Sequence, residues 1–267
     1  MLLLHPNGFC AGVFDPLARA LTDTFRPIAV DLRAHGGTDV PPNPPGDYAY
    51  AHMAADVLAV LDHLGVDELV ALGESLGGGV CVLVDAQRPG AVRRLMLCEA
   101  IAFDIDTVAT AEIPGRPPSG DNHMATIARK RRAVWPDRRT VRESYGSRPP
   151  LDVMAPEALD AYVRWGFVDR HDGQVELACP PEAEATIFEL GLAEGGGGAA
   201  WAHLDALRAD ATVLAGSRSD LPQAWFRAQA DRAGARFVPV EGGHFFVQED
   251  TGRAVELVRE HLVPQAA

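Results

Sequence analysis

The sequence predicts an α/β fold, a mostly parallel sheet flanked by helices and interrupted by an inserted helical cap. Three observations carry this. In the first part of the chain, short apolar runs alternate with stretches of helical spacing, the pattern of strands buried on both faces and joined by helical crossovers. The alternation breaks between about Ala102 and Leu207, where proline, arginine and aromatic residues become frequent. It resumes at Thr212 and continues to the C-terminal helix.

Taken in order, Leu2–Leu4 reads as a buried strand, Leu17–Phe25 as a helix and Ile28–Leu32 as the next strand. Met53, Val57, Leu61 and Leu64 recur at helical spacing within Ala51–Leu64, and Gly65 stops that helix. Leu69–Leu72 is a continuous apolar run, expected as a central strand. A helix follows Ser75 as far as Arg88, where Pro89-Gly90 ends it, and Leu95–Cys98 forms another buried strand. The insertion contains helical segments such as Pro156–Phe167. Residues 195–198 are four consecutive glycines without the lysine or strand-to-helix context of a phosphate loop, so they read as a flexible linker. Strand Thr212–Ala215, helix Pro222–Ala233, strand Phe237–Val240 and helix Thr251–Leu262 complete the pattern. The expected division is a core of residues 1–101 and 208–267 with a cap of residues 102–207.

At 267 residues and 47% hydrophobic, the chain can bury one sizeable core plus a subdomain. Its formal net charge of −13 opposes nucleic-acid binding, which needs clustered positive charge. No basic residues precede Leu2-Leu3-Leu4 as in a signal peptide, and no stretch approaches the roughly 18 unbroken apolar residues of a membrane helix. The expectation is a cytoplasmic protein acting on a small molecule, with no membrane partner and its oligomeric state open. The four cysteines, Cys10, Cys81, Cys98 and Cys179, are widely spaced without a CxxC pair and are expected as buried reduced thiols. Nine histidines include neither HExxH nor a zinc-like Cys/His spacing, so no metal or other cofactor is implied.

Gly73-Glu74-Ser75-Leu76-Gly77 matches G-x-S-x-G where a buried strand gives way to a helix. Small residues at both ends permit a sharp turn that presents the serine hydroxyl above the strand ends. That hydroxyl needs a base, and the base needs a group to orient it. His244, after Gly242-Gly243 and the last expected strand, is the candidate base. Asp220, on the loop after the preceding strand, is the favoured acid; a helix N-cap before Leu221-Pro222 is its plainer reading. Glu99, at the end of Leu95–Cys98, is the rival acid. The oxyanion of an acyl-transfer intermediate calls for fixed backbone donors. Leu76 at the helix start supplies one, and Asn7 in His5-Pro6-Asn7-Gly8-Phe9 the other, with Gly8 and Phe9 also open.

Trp135, Tyr145, Tyr162, Trp165, Phe167, Phe188 and Trp201 provide aromatic surface in the insertion, of which two or three are expected to line a pocket. Arg129-Lys130-Arg131-Arg132, with Arg138, Arg139 and Arg142, reads as a solvated helix face rather than a guide for anionic substrates.

In ordered motifs the chain resembles the α/β-hydrolase superfamily: His5–Phe9, Asp31–Asp39, Gly73–Gly77, Asp220 and Gly243-His244. The resemblance implies a triad of Ser75, Asp220 and His244 and an oxyanion hole of Asn7 and Leu76. The two strands that usually precede the histidine-containing loop are lacking, so either the start is misassigned or the sheet is short, with six strands and one altered edge. Around Glu99–Ala102 and His244–Asp250 the chain is similar to haloalkane dehalogenases, but Ser75 stands where those enzymes have an aspartate nucleophile. Their acid near the Glu99 position keeps that residue in contention. The expected activity is hydrolysis of a carboxylic ester, thioester or lactone of a small, mostly apolar molecule through an acyl-serine. Cofactor-free perhydrolase, acyltransferase or carbon–carbon bond hydrolase activity on the same residues is the alternative, as is a binding protein with vestigial catalysis.

Overall fold

The apolar run at Leu69 forms the centre of a six-stranded sheet in the computed structural model, which describes residues 1–110 and 122–264. The strands are β1 (Leu2–Leu4), β2 (Ile28–Val30), β3 (Leu69–Glu74), β4 (Val92–Cys98), β8 (Asp210–Gly216) and β9 (Arg236–Val240). Their order is β2-β1-β3-β4-β8-β9 and every pairing is parallel. Glu74 pairs with Cys98, Cys98 with Leu214, and Gly216 with Val240, so these four strands end at one rim.

Alternation along the strands sorts side chains between two apolar layers. Leu2, Leu4, Ala71, Leu95, Leu97 and Val213 face the layer of α2 (Tyr50–His63), α3 (Leu76–Gln87) and α10 (Gln223–Ala233). Leu3, Leu72, Met96 and Leu214 face α1 (Asp15–Ala20) and α12 (Thr251–Leu262). All four cysteines are buried and free. No helix among the described residues is long and apolar enough to cross a membrane.

Two early elements are shorter than the sequence suggests. The helix expected over 17–25 ends at Ala20 and becomes a turn, and the strand expected to Leu32 ends at Val30. Beyond it the Asp31 carboxylate accepts from the amides of Ala11 (2.6 Å) and Gly37 (3.0 Å), which draws the chain out of the sheet and into a loop.

Between β4 and β8 the described insertion carries α4 (Ile105–Thr110), α5 (His123–Arg129), α6 (Arg138–Tyr145), α7 (Pro156–Trp165), α8 (Pro181–Gly191) and α9 (Gly197–His203). It also holds an antiparallel sheet, β5-β7-β6, of Val134–Trp135, Val175–Leu177 and Phe167–Asp169. Strands this short leave too few residues for an alternating pattern to be read. The four glycines are not a loose linker. Gly197 opens α9, and side chains at Gly196 and Gly197 would overlap the carbonyls of Leu190 and Gly191.

Close approach also governs the start of α3, where a Cβ on Gly77 would overlap the Leu4 carbonyl of β1. Gly77→Ala must displace backbone rather than a flexible side chain. We expect it to cost about 1–3 kcal/mol, seen as a lower urea midpoint at unchanged slope.

Candidate active site

Ser75 occupies the turn between β3 and α3 with φ 52° and ψ −117°, a conformation costly for a residue with a side chain. Neighbouring backbone holds it there. Its amide donates to Cys98 O (2.9 Å) and its carbonyl accepts from Ile101 N (2.9 Å), tying the turn to the segment that leaves β4. Leu76 is the first residue of α3, where amides lack intrahelical acceptors.

One strand over, Glu99 makes a matching turn with φ 48° and donates its amide to Leu214 O of β8 (2.9 Å). Its side chain is fully buried. Oε1 accepts from Gly216 N (2.7 Å), while Oε2 accepts from Ser219 Oγ (2.6 Å) and lies 2.6 Å from His244 Nδ1. A carboxylate can only accept, so the Nδ1 proton belongs on the imidazole, and neutral His244 keeps Nε2 as the lone-pair nitrogen. Burial alone would lower the pKa of His244. The hydrogen bond and charge of Glu99 outweigh it, with smaller help from Glu74 and Asp220, and the pKa is raised above 6.5.

The structure therefore brings Glu99, not Asp220, onto the imidazole by a direct hydrogen bond. Asp220 sits on the expected loop but is exposed, and its charge acts on His244 less than that of Glu99 or Glu74. Nor is it the N-cap of α10: that position is Pro222, and Ser219 Oγ accepts from Leu221 N (3.1 Å). The physical reason lies in sheet order. β4 adjoins both β3 and β8, and the left-handed backbone at Glu99 turns its side chain among their loops.

The His244 loop is braced from outside the sheet. Ser217 N donates to Val240 O (2.7 Å) and Arg218 N to Gly242 O (2.8 Å), extending the β8–β9 pairing past the strands. Glu249, in α11 (Phe246–Glu249), accepts from Gly243 N (2.7 Å) and pairs with Arg218 (3.1 Å).

In the His5–Phe9 loop, Gly8 N donates to His35 Nε2 (3.0 Å) and Phe9 N to Pro6 O (3.2 Å). Of the three amides considered there, two are thus committed, which favours Asn7. His5 and His35 themselves bind backbone through both ring nitrogens. Burial pushes their pKa values down to about 4 and about 3, so both are neutral struts between the loops after β1 and β2.

Most of the arginine run is answered by acids of the insertion. Arg129 pairs with Glu182 and Glu189, Arg131 with Glu184, Arg138 with Asp169, Arg139 with Glu143, and Arg142 with Asp160. Arg131 turns inward, a residue that charge patterning alone could not distinguish. Among the aromatics, Tyr162 reaches Phe9 (ring centroids 4.7 Å), which in turn meets Phe245 (5.0 Å). Trp165 is half exposed, and Trp201 packs under the Arg232 guanidinium.

A family model described as alpha/beta hydrolase fold matches residues 1–215. The chain belongs to that family. An uncharacterised protein of Mycobacterium tuberculosis is 36% identical over 113 residues, 40% of this chain and 31% of that one. A 2-heptyl-3-hydroxy-4-quinolone dioxygenase of Rhodococcus erythropolis is 43% identical over 75 residues, 27% of this chain and 26% of its own. The match thus spans less than a third of either relative. The solved structure of E-2-(acetamidomethylene)succinate hydrolase superposes with a TM-score of 0.76 at 21% identity, covering 98% of this chain and 90% of that one.

Glu74, between Gly73 and the serine, is also fully buried. Oε2 accepts from Gln248 Nε2 (2.7 Å), and Oε1 has no hydrogen-bond partner among the described residues. Burial pushes its pKa up to about 8 from about 4.5. The folded state therefore holds a proton that the unfolded chain releases, and this contribution to stability is complete below about pH 4.5 and lost as pH rises to about 8. Glu74→Gln should flatten the fall in urea midpoint across that interval; an unchanged pH profile would contradict the assignment.

Proposed function

We propose that this protein is a serine hydrolase that cleaves a carboxylic ester, thioester or lactone through an acyl-serine intermediate. Ser75 is the nucleophile, His244 the general base and Glu99 the acid that orients it, in the role the sequence favoured for Asp220. The observation carrying this reading is the 2.6 Å contact between Glu99 Oε2 and His244 Nδ1, at the rim where β3 ends in the strained serine turn.

In the first step Ser75 Oγ attacks the carbonyl carbon while His244 Nε2 takes the hydroxyl proton. The amides of Asn7 and Leu76 stabilise the oxygen that becomes negative. Collapse expels the alcohol or thiol, which receives the proton from His244. Water, deprotonated by the same nitrogen, then releases the acid and regenerates Ser75. Glu99 keeps the imidazole in the required tautomer and stabilises its protonated form. Phe9 and Phe245 favour a small, mostly apolar acyl group beneath a cap formed by the insertion, and the pairing of most of the arginine run argues against a general attraction for anions.

A fluorophosphonate should label Ser75, and Ser75→Ala should abolish labelling and turnover while the fold persists. Glu99→Gln removes the charge and turns one of two accepting oxygens into an NH2 donor that disfavours the required tautomer, so we expect kcat to fall by about two to four orders of magnitude, with Asp220→Asn retaining most activity. The reverse ranking would return the acid role to Asp220. Because neutral His244 is the active form, kcat/KM should rise with pH through a limb lying above 6.5. That limb should move to lower pH in any residual Glu99→Gln activity. A limb unmoved by the substitution would argue against the pairing.

A further inference from the structure

The loop bearing Asn7 is gripped from two sides. Beneath it stand the neutral struts His5 and His35. Above it lies Arg131, just past the end of α5, whose guanidinium pairs with Glu184 of α8. Arg131 Nη2 also donates to Tyr145 Oη (3.1 Å), at the end of α6, and to Tyr162 Oη (2.8 Å) in α7. Tyr162 donates its own hydroxyl proton to Gly8 O (2.8 Å), and Asn7 Nδ2 donates to the Glu184 carbonyl (2.9 Å). Two helices of the insertion, α7 and α8, thus bond to the residues flanking the Asn7 amide, and Arg131 joins them to each other and to α6. No slack remains between them: Gly8 has φ +77°, and a Cβ there would lie 2.5 Å from Glu184 Oε1 and 3.0 Å from Arg131 Nη1.

Burying such an ion pair contributes little to stability, because desolvation offsets most of the attraction and apolar residues can pack as well. What it supplies is geometry. Guanidinium and carboxylate have fixed shapes; here the guanidinium passes a hydrogen bond through Tyr162 to the Gly8 carbonyl, and the carboxylate holds the guanidinium beside the Glu184 backbone carbonyl that accepts from the Asn7 side chain.

We propose that Arg131, acting with Glu184 and through Tyr162, is a positioning residue that fixes the Asn7 amide for the developing oxyanion and so couples seating of the insertion to turnover. The proposal rests on the acyl-serine reading above. Arg131 touches neither substrate nor reacting atoms in this role; three of its five N–H donors go to Glu184 and the two tyrosines. The predicted signature is loss of transition-state stabilisation without loss of substrate binding.

The test uses the whole chain with 4-nitrophenyl acetate, rates being expressed per Ser75 titrated to completion by a fluorophosphonate. Tyr162→Phe removes one hydroxyl and keeps the ring, so it guards against a variant of Arg131 that fails to fold. Arg129→Gln, which breaks exposed ion pairs beside the cluster, is the control and should match wild type. We expect kcat per titrated site to fall about ten-fold in Tyr162→Phe and further in Arg131→Gln, with Arg131→Lys between, while KM stays within about two-fold. Affinity for a trifluoromethyl ketone, whose serine adduct carries the oxyanion, should fall in step with kcat. Wild-type kcat per titrated site with a smaller titratable fraction would reduce the cluster to a folding role and overturn the proposal. A raised KM at constant kcat would make it a substrate contact and overturn it equally. If wild-type Ser75 takes no label, the acyl-serine reading itself fails, a result distinct from either.

Discussion

Everything at the rim depends on one buried carboxylate accepting three hydrogen bonds. Glu99 has no exposed surface, and a charge in that position is tolerable only when donors replace the water it has lost. Gly216 N, Ser219 Oγ and His244 Nδ1 do so, and they come from the end of β8 and the loops that follow β8 and β9. The same contacts that satisfy the carboxylate therefore fix two loops against the strand bearing it. Remove the carboxylate and the imidazole loses its orientation, while Ser219 and the Gly216 amide lose their acceptor.

Two buried glutamates bracket this imidazole electrostatically, and their surroundings differ. Glu99 is met by three donors. Glu74 is met by one, from Gln248, and burial raises its pKa. A carboxyl group with one donor and an unpartnered oxygen favours the protonated state, so the help its charge lends to protonating His244 is gained only as pH rises through about 8. Gln248 belongs to α11, directly after the His244 loop, so the Glu74 contact also ties the serine turn to the helix that bounds that loop.

Legibility in the sequence followed the strength of local pattern. β3, α3 and α12 lay within a residue or two of where apolar runs and stop signals put them, because continuous burial and helical periodicity are recorded in adjacent residues. β5, β6 and β7 carry two or three residues each and left no such record. Residues 195–198 misled because glycine serves both flexibility and close backbone approach, and only tertiary neighbours tell the two apart. The same limit applied to the carboxylate beside the imidazole: Asp220 and Glu99 both follow strands that reach the rim, and which of them meets His244 turns on the backbone dihedral at Glu99. Arg131 stood in a run of four basic residues, and its inward turn depends on Glu184, 53 positions away.

The hydrogen bond between His244 and Glu99 can be observed directly. A proton held between imidazole Nδ1 and a carboxylate resonates far downfield of the amide envelope in the proton NMR spectrum of the whole protein. That resonance is predicted in the wild type, retained in Asp220→Asn and absent in both Glu99→Gln and His244→Ala. Its loss in Asp220→Asn together with its persistence in Glu99→Gln would contradict the account at its centre.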